Sequence, residues 1–242
     1  VYQFQNKFRM ELRAKSGILR AREFLMKDMY SFHKDEADMT AFYEVMAGVY
    51  KNIFDRVGIG HITYKTYASG GSFSKFSHEF QMLTDAGEDT IYLCEDCKVA
   101  INDEIISVQK VCPVCGKDKF EKKKSIEVGN IFPLGTKYTK PLGLFYSDKK
   151  GNKELVTMGS YGIGVSRLMG TIVEVYHDEM GFIWPEAVAP FKVHLLELKS
   201  SESAVKNFAV KLYKDLLAKG VEVLYDDRSD KTAGEKFADS DL

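Results

Sequence analysis

The chain has 242 residues, enough for one large domain or for one and part of a second. Apolar residues make up 45% and charged residues 29%, with a formal net charge of −1, so a globular fold is expected and no global positive field marks a nucleic-acid partner. No apolar run is long enough for a membrane-spanning helix and no signal peptide opens the chain, so a cytoplasmic location away from membranes is expected. The first residue is Val1 rather than methionine and lies in a strand-like run, so a fragment is expected.

Val1 to Arg13 and Ile18 to Phe32 have strand character and flank a polar turn at Ala14-Lys15-Ser16-Gly17. Side chains two apart on a strand share a face, which predicts Arg9 beside Glu11 and Phe24 beside Arg22, Met26 and Asp28. Arginines, an aromatic plate and carboxylates on one floor suit a nucleotide, with cations for phosphates and a ring for the base. A surface hairpin laced with weak ion pairs fits the same residues, and composition leaves both open. From Lys34 to Val57, apolar residues at Met39, Phe42, Met46, Val49, Tyr50, Ile53, Phe54 and Val57 predict an amphipathic helix ended by Gly58. That stripe reads as core, and His33 and His61 as structural or exposed. His61 to Tyr67 alternates as a strand, and a Gly70-Gly71 loop leads to Ser77-His78-Glu79-Phe80.

The four cysteines form two pairs, Cys94-x2-Cys97 and Cys112-x2-Cys115, with fourteen residues between. Such pairs bring two thiolates at each knuckle to a tetrahedral Zn²⁺, and disulfides or a redox pair are the alternatives. Met158-Gly159-Ser160-Tyr161-Gly162-Ile163-Gly164-Val165-Ser166-Arg167 opens a helical pattern. It fits neither a dinucleotide fingerprint nor a P-loop. Glycines at a strand end allow close ligand approach, and Arg167 on the following helix has the reach for a terminal phosphate. Beyond Pro190, Phe191–Leu198 reads as a strand. Ser203–Ala218 reads as a helix with Ala204, Phe208, Leu212 and Leu216 on one face, closed by Gly220. Val221–Tyr225 is a second strand, and a helix begins at Thr232. This β-α-β order implies a parallel pair.

Arg9-x-Glu11, a loop, then Arg20-x3-Phe24-x3-Asp28 resembles motif 2 of the class II aminoacyl-tRNA synthetases. The stretches Lys7–Glu11 and Arg22–His33 are similar to the bacterial prolyl type of that family. Ser77–Phe80, Glu127–Tyr138, Gly181–Pro185 and a motif 3 at Met158–Arg167 continue the likeness. The resemblance implies an α+β fold, a catalytic core on a mainly antiparallel sheet over residues 1–189. A small zinc-ribbon-like insert at 90–126 would interrupt it where many family members carry an editing domain. Residues 190–242 would be a truncated α/β anticodon-binding domain.

The implied reaction is ATP-dependent ligation of L-proline to tRNA(Pro) through a prolyl-adenylate. Arg9 would hold the α-phosphate and the substrate carboxylate, Glu11 would orient the nucleotide, and Arg20 would reach the phosphates. Phe24 would stack on adenine, Glu127 and Asn130 would face ATP or its Mg²⁺, and Arg167 would clamp the γ-phosphate. Catalysis would fall to Arg9, Glu11 and Arg167. The proline side would be Arg9, Met26, His78, Phe132 and Ser160, and Cys94, Cys97, Cys112 and Cys115 would hold a structural Zn²⁺. The sequence departs from the family at Asn130, commonly His, at Pro133, commonly polar, and in the loop Ser72–Phe76. Family features expected upstream of Val1, the motif 1 dimer interface and a Thr-x-Glu proline loop, would make this chain an incomplete catalyst and the longer parent a homodimer. A synthetase for threonine or glycine, or a non-catalytic RNA-binding paralogue, remains an alternative.

Overall fold

The computed structural model describes residues 1–241. Strands β1 (Tyr2–Phe8) and β2 (Glu23–His33) pair antiparallel, from Tyr2 opposite Met29 to Phe8 opposite Glu23. Both are shorter than the sequence suggests, and residues 9–22 form a folded loop. Its tip reverses at Ser16 and Gly17, whose φ angles of 56° and 58° are left-handed, and Lys15 bridges to Arg20. α1 (Glu36–Arg56) starts at Asp35, whose carboxylate accepts the Asp38 N–H at 2.8 Å, and ends where Gly58 turns left-handed. Its buried face is Met39, Tyr43, Met46, Ala47, Tyr50 and Phe54, so the stripe is rotated from the expected one and Val49 meets solvent.

The chain continues through β3 (Thr63–Ser69), β4 (Phe76–Leu83), β5 (Asp89–Cys94), β6 (Val99–Asn102) and the long β7 (Glu121–Gly135). After α2 (Thr139–Leu142) come the hairpin β8 (Phe145–Ser147) and β9 (Lys153–Leu155), then β10 (Thr157–Gly164) and α3 (Val165–Val175). Eight strands form one sheet in the order β1-β2-β10-β7-β4-β3-β6-β5, antiparallel except for β3 with β6. The first part of β7 also pairs with β5, Ser125 opposite Asp89 and Glu121 opposite Leu93. Pairing therefore runs full circle through β7, β4, β3, β6 and β5, around a core of Ile91, Leu93 and Ala100. The segment 90–126 thus contributes strands to the sheet, and its Ile91, Leu93 and Ala100 lie in the core.

α1 covers one face of the sheet. Lys27 on β2 points into that layer, donating to Tyr50 Oη at 2.8 Å and to the Tyr161 carbonyl at 2.9 Å, and burial lowers its pKa to about 8. The opposite face carries the loop 9–22 and α3. Gly170 of α3 lets that helix approach the loop closely, since a Cβ there would lie 2.8 Å from Ile18 and 2.9 Å from Leu19.

A second compact unit begins at Tyr176, earlier than the expected boundary at 190. In it, β11 (Val193–Leu196) and β12 (Val223–Asp226) are parallel and joined through α4 (Ser203–Ala218), with α5 (Ala233–Ser240) following. α4 packs through Ala209, and Tyr213 stacks on Tyr225 at 5.0 Å. Phe208 is 68% exposed, unlike Leu212 and Leu216 of the same expected face, which are half-buried. Lys236 is 1% exposed and ties α5 to the strand ends, donating to the carbonyls of Glu197 at 2.6 Å and Asp226 at 3.0 Å. No described helix is long and apolar enough to cross a membrane.

Candidate active site

The face of the sheet turned away from α1 is built in cross-strand rows. Directly opposed residues on neighbouring strands share a face. One row runs Asp28, Gly162, Asn130, Glu79, and the next runs Tyr30, Ser160, Phe132. Met26 faces Gly164 on the third. Gly162 keeps the middle of this floor open, because a Cβ there would come within 2.6 Å of the Met26 terminal methyl. Lys7 of β1 forms an ion pair with Asp28 at one edge, and at the other end the Phe73 ring packs 4.8 Å from Phe132. The unusual loop Ser72–Phe76 thus supplies an aromatic wall beside Phe132.

Arg9 lies one residue past β1, where its N–H still bonds the Arg22 carbonyl at 2.9 Å. Its guanidinium sits 5.1 Å from the centroid of Phe24. The folded loop returns Arg20 to Glu11 at 3.0 Å and to Glu88 at 2.5 Å, and the bond from Arg20 holds the Glu11 carboxyl below its ordinary range. Arg167 at the start of α3 donates from Nε to the Leu19 carbonyl at 2.9 Å. Its terminal nitrogen donates to the Glu127 carbonyl at 3.1 Å and lies 3.4 Å from the Glu127 carboxylate. A cavity of about 260 Å³ is left between Arg9, Glu11, Arg20, Glu88, Glu127 and Arg167. With Asp89 also in the wall, three cations and four carboxylates come together, a setting that holds a polyanion and the cations that accompany it.

Behind this cavity lies a polar network that inspection of the motifs missed. Glu79 accepts from Gln81 and Asn102, each at 2.9 Å, and Gln81 also donates to Asp89 at 2.9 Å. Burial and then the neighbouring Glu127 push the Glu79 carboxyl up to about 8. Burial also raises Glu127, against the pull of Arg167. Asn130 donates to Glu127 at 3.0 Å, while the buried carbonyl oxygens of Asn130 and Gln81 have no hydrogen-bond partner.

His78 does not join the floor. On β4 it alternates with Ser77 and Glu79, so its ring points to the α1 side, opposite the cavity. There Tyr43 Oη donates to the Ile131 carbonyl at 3.0 Å, His78 Nδ1 lies 2.8 Å from the same Tyr43 hydroxyl, and Tyr67 packs edge-on at 4.5 Å. Its ring thus lies on the other face of the sheet from Phe132 and Ser160, with which it was expected to share the proline side. Its neighbour Glu79, two residues from the buried Gln81, faces the site, and strand alternation was the signal available to find it. Burial lowers the His78 pKa to about 3. Above pH 6.5 the ring is neutral folded or unfolded. Below it only the unfolded chain takes up the proton, so stability is expected to fall steadily from pH 6.5 towards 3. The melting temperature of His78→Asn should decline less steeply over that interval than that of the unaltered chain, and equal slopes would contradict the assignment.

The four cysteine sulfurs lie within 4.8 Å of one another and none is in a disulfide. Each pair sits on a tight turn: Lys98 donates to the Cys94 carbonyl at 2.9 Å and Gly116 to that of Cys112 at 2.8 Å, and both turn residues are left-handed. Four converging thiols at two knuckles are a donor set suited to a tetrahedral soft metal.

Residues 1–176 match the family described as tRNA synthetase class II core domain (G, H, P, S and T). The chain belongs to this class II family. Residues 187–242 match the anticodon binding domain family. A Proline--tRNA ligase of Ehrlichia chaffeensis is 44% identical over the whole of this chain and 59% of its own length. One from Wolbachia of Brugia malayi is 42% identical over the same shares, and one from Rhodopseudomonas palustris is 39% identical, with 60% of its length covered. The chain thus spans about three fifths of these curated relatives. A crystal structure of a prolyl-tRNA synthetase from Cryptosporidium parvum complexed with L-proline and AMP has the same class II fold, with a TM-score of 0.71 at 19% identity. It matches over 98% of this chain and 42% of its own.

On the class II sheet, then, Arg9, Phe24, Met26, Phe132 and Ser160 stand on or beside one floor, and Arg20, Glu127, Asn130 and Arg167 gather at one end of it. Glu11 touches the cavity through its pairing with Arg20.

Proposed function

We propose that this chain carries the adenylate-forming and transfer site of a proline--tRNA ligase. The observation that carries the reading is the floor itself. A base-stacking ring under Arg9 and a phosphate-sized cavity closed by Arg167 lie at one end, and an aromatic-walled recess of Phe132, Phe73 and Ser160 lies at the other. The likeness, over the whole of this chain, to ligases named for proline supports the choice of amino acid.

ATP lies with adenine on Phe24 and its phosphates towards Arg20 and Arg167, which requires Arg20 to exchange Glu11 or Glu88 for phosphate oxygen. Proline sits over Ser160 beside Phe132 and Met26, its carboxylate held by Arg9. The carboxylate oxygen attacks the α-phosphorus in line, the bridging bond to the β-phosphate breaks and pyrophosphate leaves. The 3′-terminal ribose hydroxyl of the tRNA then attacks the prolyl carbonyl, and AMP departs. No side chain forms a covalent bond; the protein positions the reactants and neutralises charge. The unpartnered Asn130 side-chain carbonyl and the Glu127 carboxylate form a hard oxygen set that would hold Mg²⁺, and the ion would supply neutralisation of phosphate charge there. Cys94, Cys97, Cys112 and Cys115 would hold a structural zinc, and the parent protein is expected to act as a homodimer in the cytoplasm.

Pyrophosphate–ATP exchange, measured with this chain and with a form extended at both ends to the relatives' length, tests the reading. Exchange should depend on proline in the extended form. Exchange driven by threonine or glycine and not proline would reassign the substrate, and a protein that binds tRNA but no ATP would be a non-catalytic relative.

A further inference from the structure

Between β7 and β10, residues 137–154 carry five lysines, Lys137, Lys140, Lys149, Lys150 and Lys153, against two carboxylates, Asp148 and Glu154. All five lysines are exposed, and among the described residues none is in an ion pair. Asp148 is occupied within the hairpin turn, accepting the N–H of Lys150 at 2.7 Å, the N–H of Asn152 at 2.8 Å and the Asn152 side chain at 2.9 Å. A chain whose net charge is −1 thus concentrates unpaired positive charge on one protrusion. This protrusion is fixed in place. Thr139, fully buried, donates to the Val156 carbonyl at 2.6 Å, the Leu144 and Val156 backbones bond at 3.2 Å, and Tyr146 donates to the Lys34 carbonyl at 3.0 Å.

The placement matters as much as the charge. The hairpin leaves the sheet at the ends of β7 and β10 nearest Phe132 and Ser160, away from Arg167. Lys137 also bonds the carbonyl of Ser72, next to the Phe73 that walls the amino-acid recess. Lys153 is seven residues from Ser160, an extended span of at most about 23 Å. A polyanion approaching the acyl end of the floor therefore meets this row of ammonium groups, whereas one approaching the phosphate end does not.

We propose that the β8–β9 hairpin is a phosphate-contacting surface for the acceptor arm of the tRNA, with Lys149, Lys150 and Lys153 as its contacts and Lys137 and Lys140 at its base. This rests on the reading that the floor transfers its product to tRNA. Lysines on an exposed hairpin read backbone charge rather than sequence, so the surface orients the arm without selecting it. An acidic protein partner is the competing occupant, and the test separates the two.

The triple variant K149Q/K150Q/K153Q changes only exposed side chains, so folding is not at issue, and K110Q/K119Q serves as a control elsewhere on the surface. Fluorescence titration with proline-acceptor tRNA over a range of salt concentrations should show the triple variant binding about tenfold more weakly or worse. Its dependence of log affinity on log salt should be shallower by about 2–3, one unit per lost phosphate contact. ATP affinity should be unchanged. Equal tRNA affinity and equal salt slope in the triple variant and the unaltered chain would overturn the proposal, as would equal losses in the control. Absence of proline-dependent exchange in the extended form would instead overturn the amino-acid assignment, and the tRNA titration would still decide the hairpin.

Discussion

Replacing Arg167 with alanine is expected to weaken ATP binding at least tenfold while weakening AMP far less. The charge-assisted contact that the side chain offers a terminal phosphate is worth about 1.5–3 kcal/mol, and tenfold corresponds to about 1.4 kcal/mol. AMP lacks that phosphate and loses only what Arg167 contributes indirectly. This indirect part is real, because Nε ties the loop at Leu19 and the terminal nitrogen ties Glu127. Arg167→Lys separates the two. It keeps a positive charge in the cavity but cannot bond the Leu19 carbonyl, Glu127 and a phosphate at once, so ATP should weaken by an intermediate amount. Equal losses for ATP and AMP in Arg167→Ala would place the γ-phosphate elsewhere and leave Arg167 as a strut between α3 and the loop.

Stripping metal from the four cysteines is expected to destabilise the sheet well beyond the knuckles. Cys94 ends β5, which pairs with β7 on one side and β6 on the other. Asn102 at the end of β6 holds Glu79, and β7 carries Glu127, Asn130 and Phe132. Loosening the knuckles therefore opens the ring of strands and disturbs the back wall of the cavity. A loss of only about 4 kcal/mol, well below the 10–16 kcal/mol of free zinc-finger peptides, corresponds to roughly 8–16 °C for a chain of this size. Protein purified without chelator should contain one zinc per chain, and chelation should lower both the melting temperature and ATP affinity. Elemental analysis finding no zinc, with all four thiols titrating freely, would end this expectation. A chelated protein with an unchanged ATP affinity would show that the knuckles and the site are mechanically separate.

The residues around which the floor is built were legible in the amino-acid sequence. Short-range rules sufficed for them. Glycines at the end of β10, a helix opening just before Arg167, cysteine pairs with two residues between them and the 3.6-residue periodicity of α1 are each decided within a few residues of chain. α4 and the parallel β11–β12 pair followed from the same rules, although Phe208 turned outward because the packed stripe of α4 runs through Ala209 and Tyr213 instead. Three matters were decided by tertiary structure alone. Alternation put His78 and Glu79 on opposite faces, but which face is the site depends on where α1 lies. That helix buries His78 and lowers its pKa to about 3. The partners of Arg20 come from opposite directions along the chain, Glu11 before it and Glu88 far beyond it, and no local pattern links Arg20 to Glu88. Residues 90–126 were expected as a zinc-ribbon-like insert from their place in the family's order, and only the assembled sheet shows β5 and β6 closing a ring with β7, β4 and β3. Desolvation and strand closure depend on groups distant in sequence that folding brings within a few ångströms, so they exist only once the sheet is assembled.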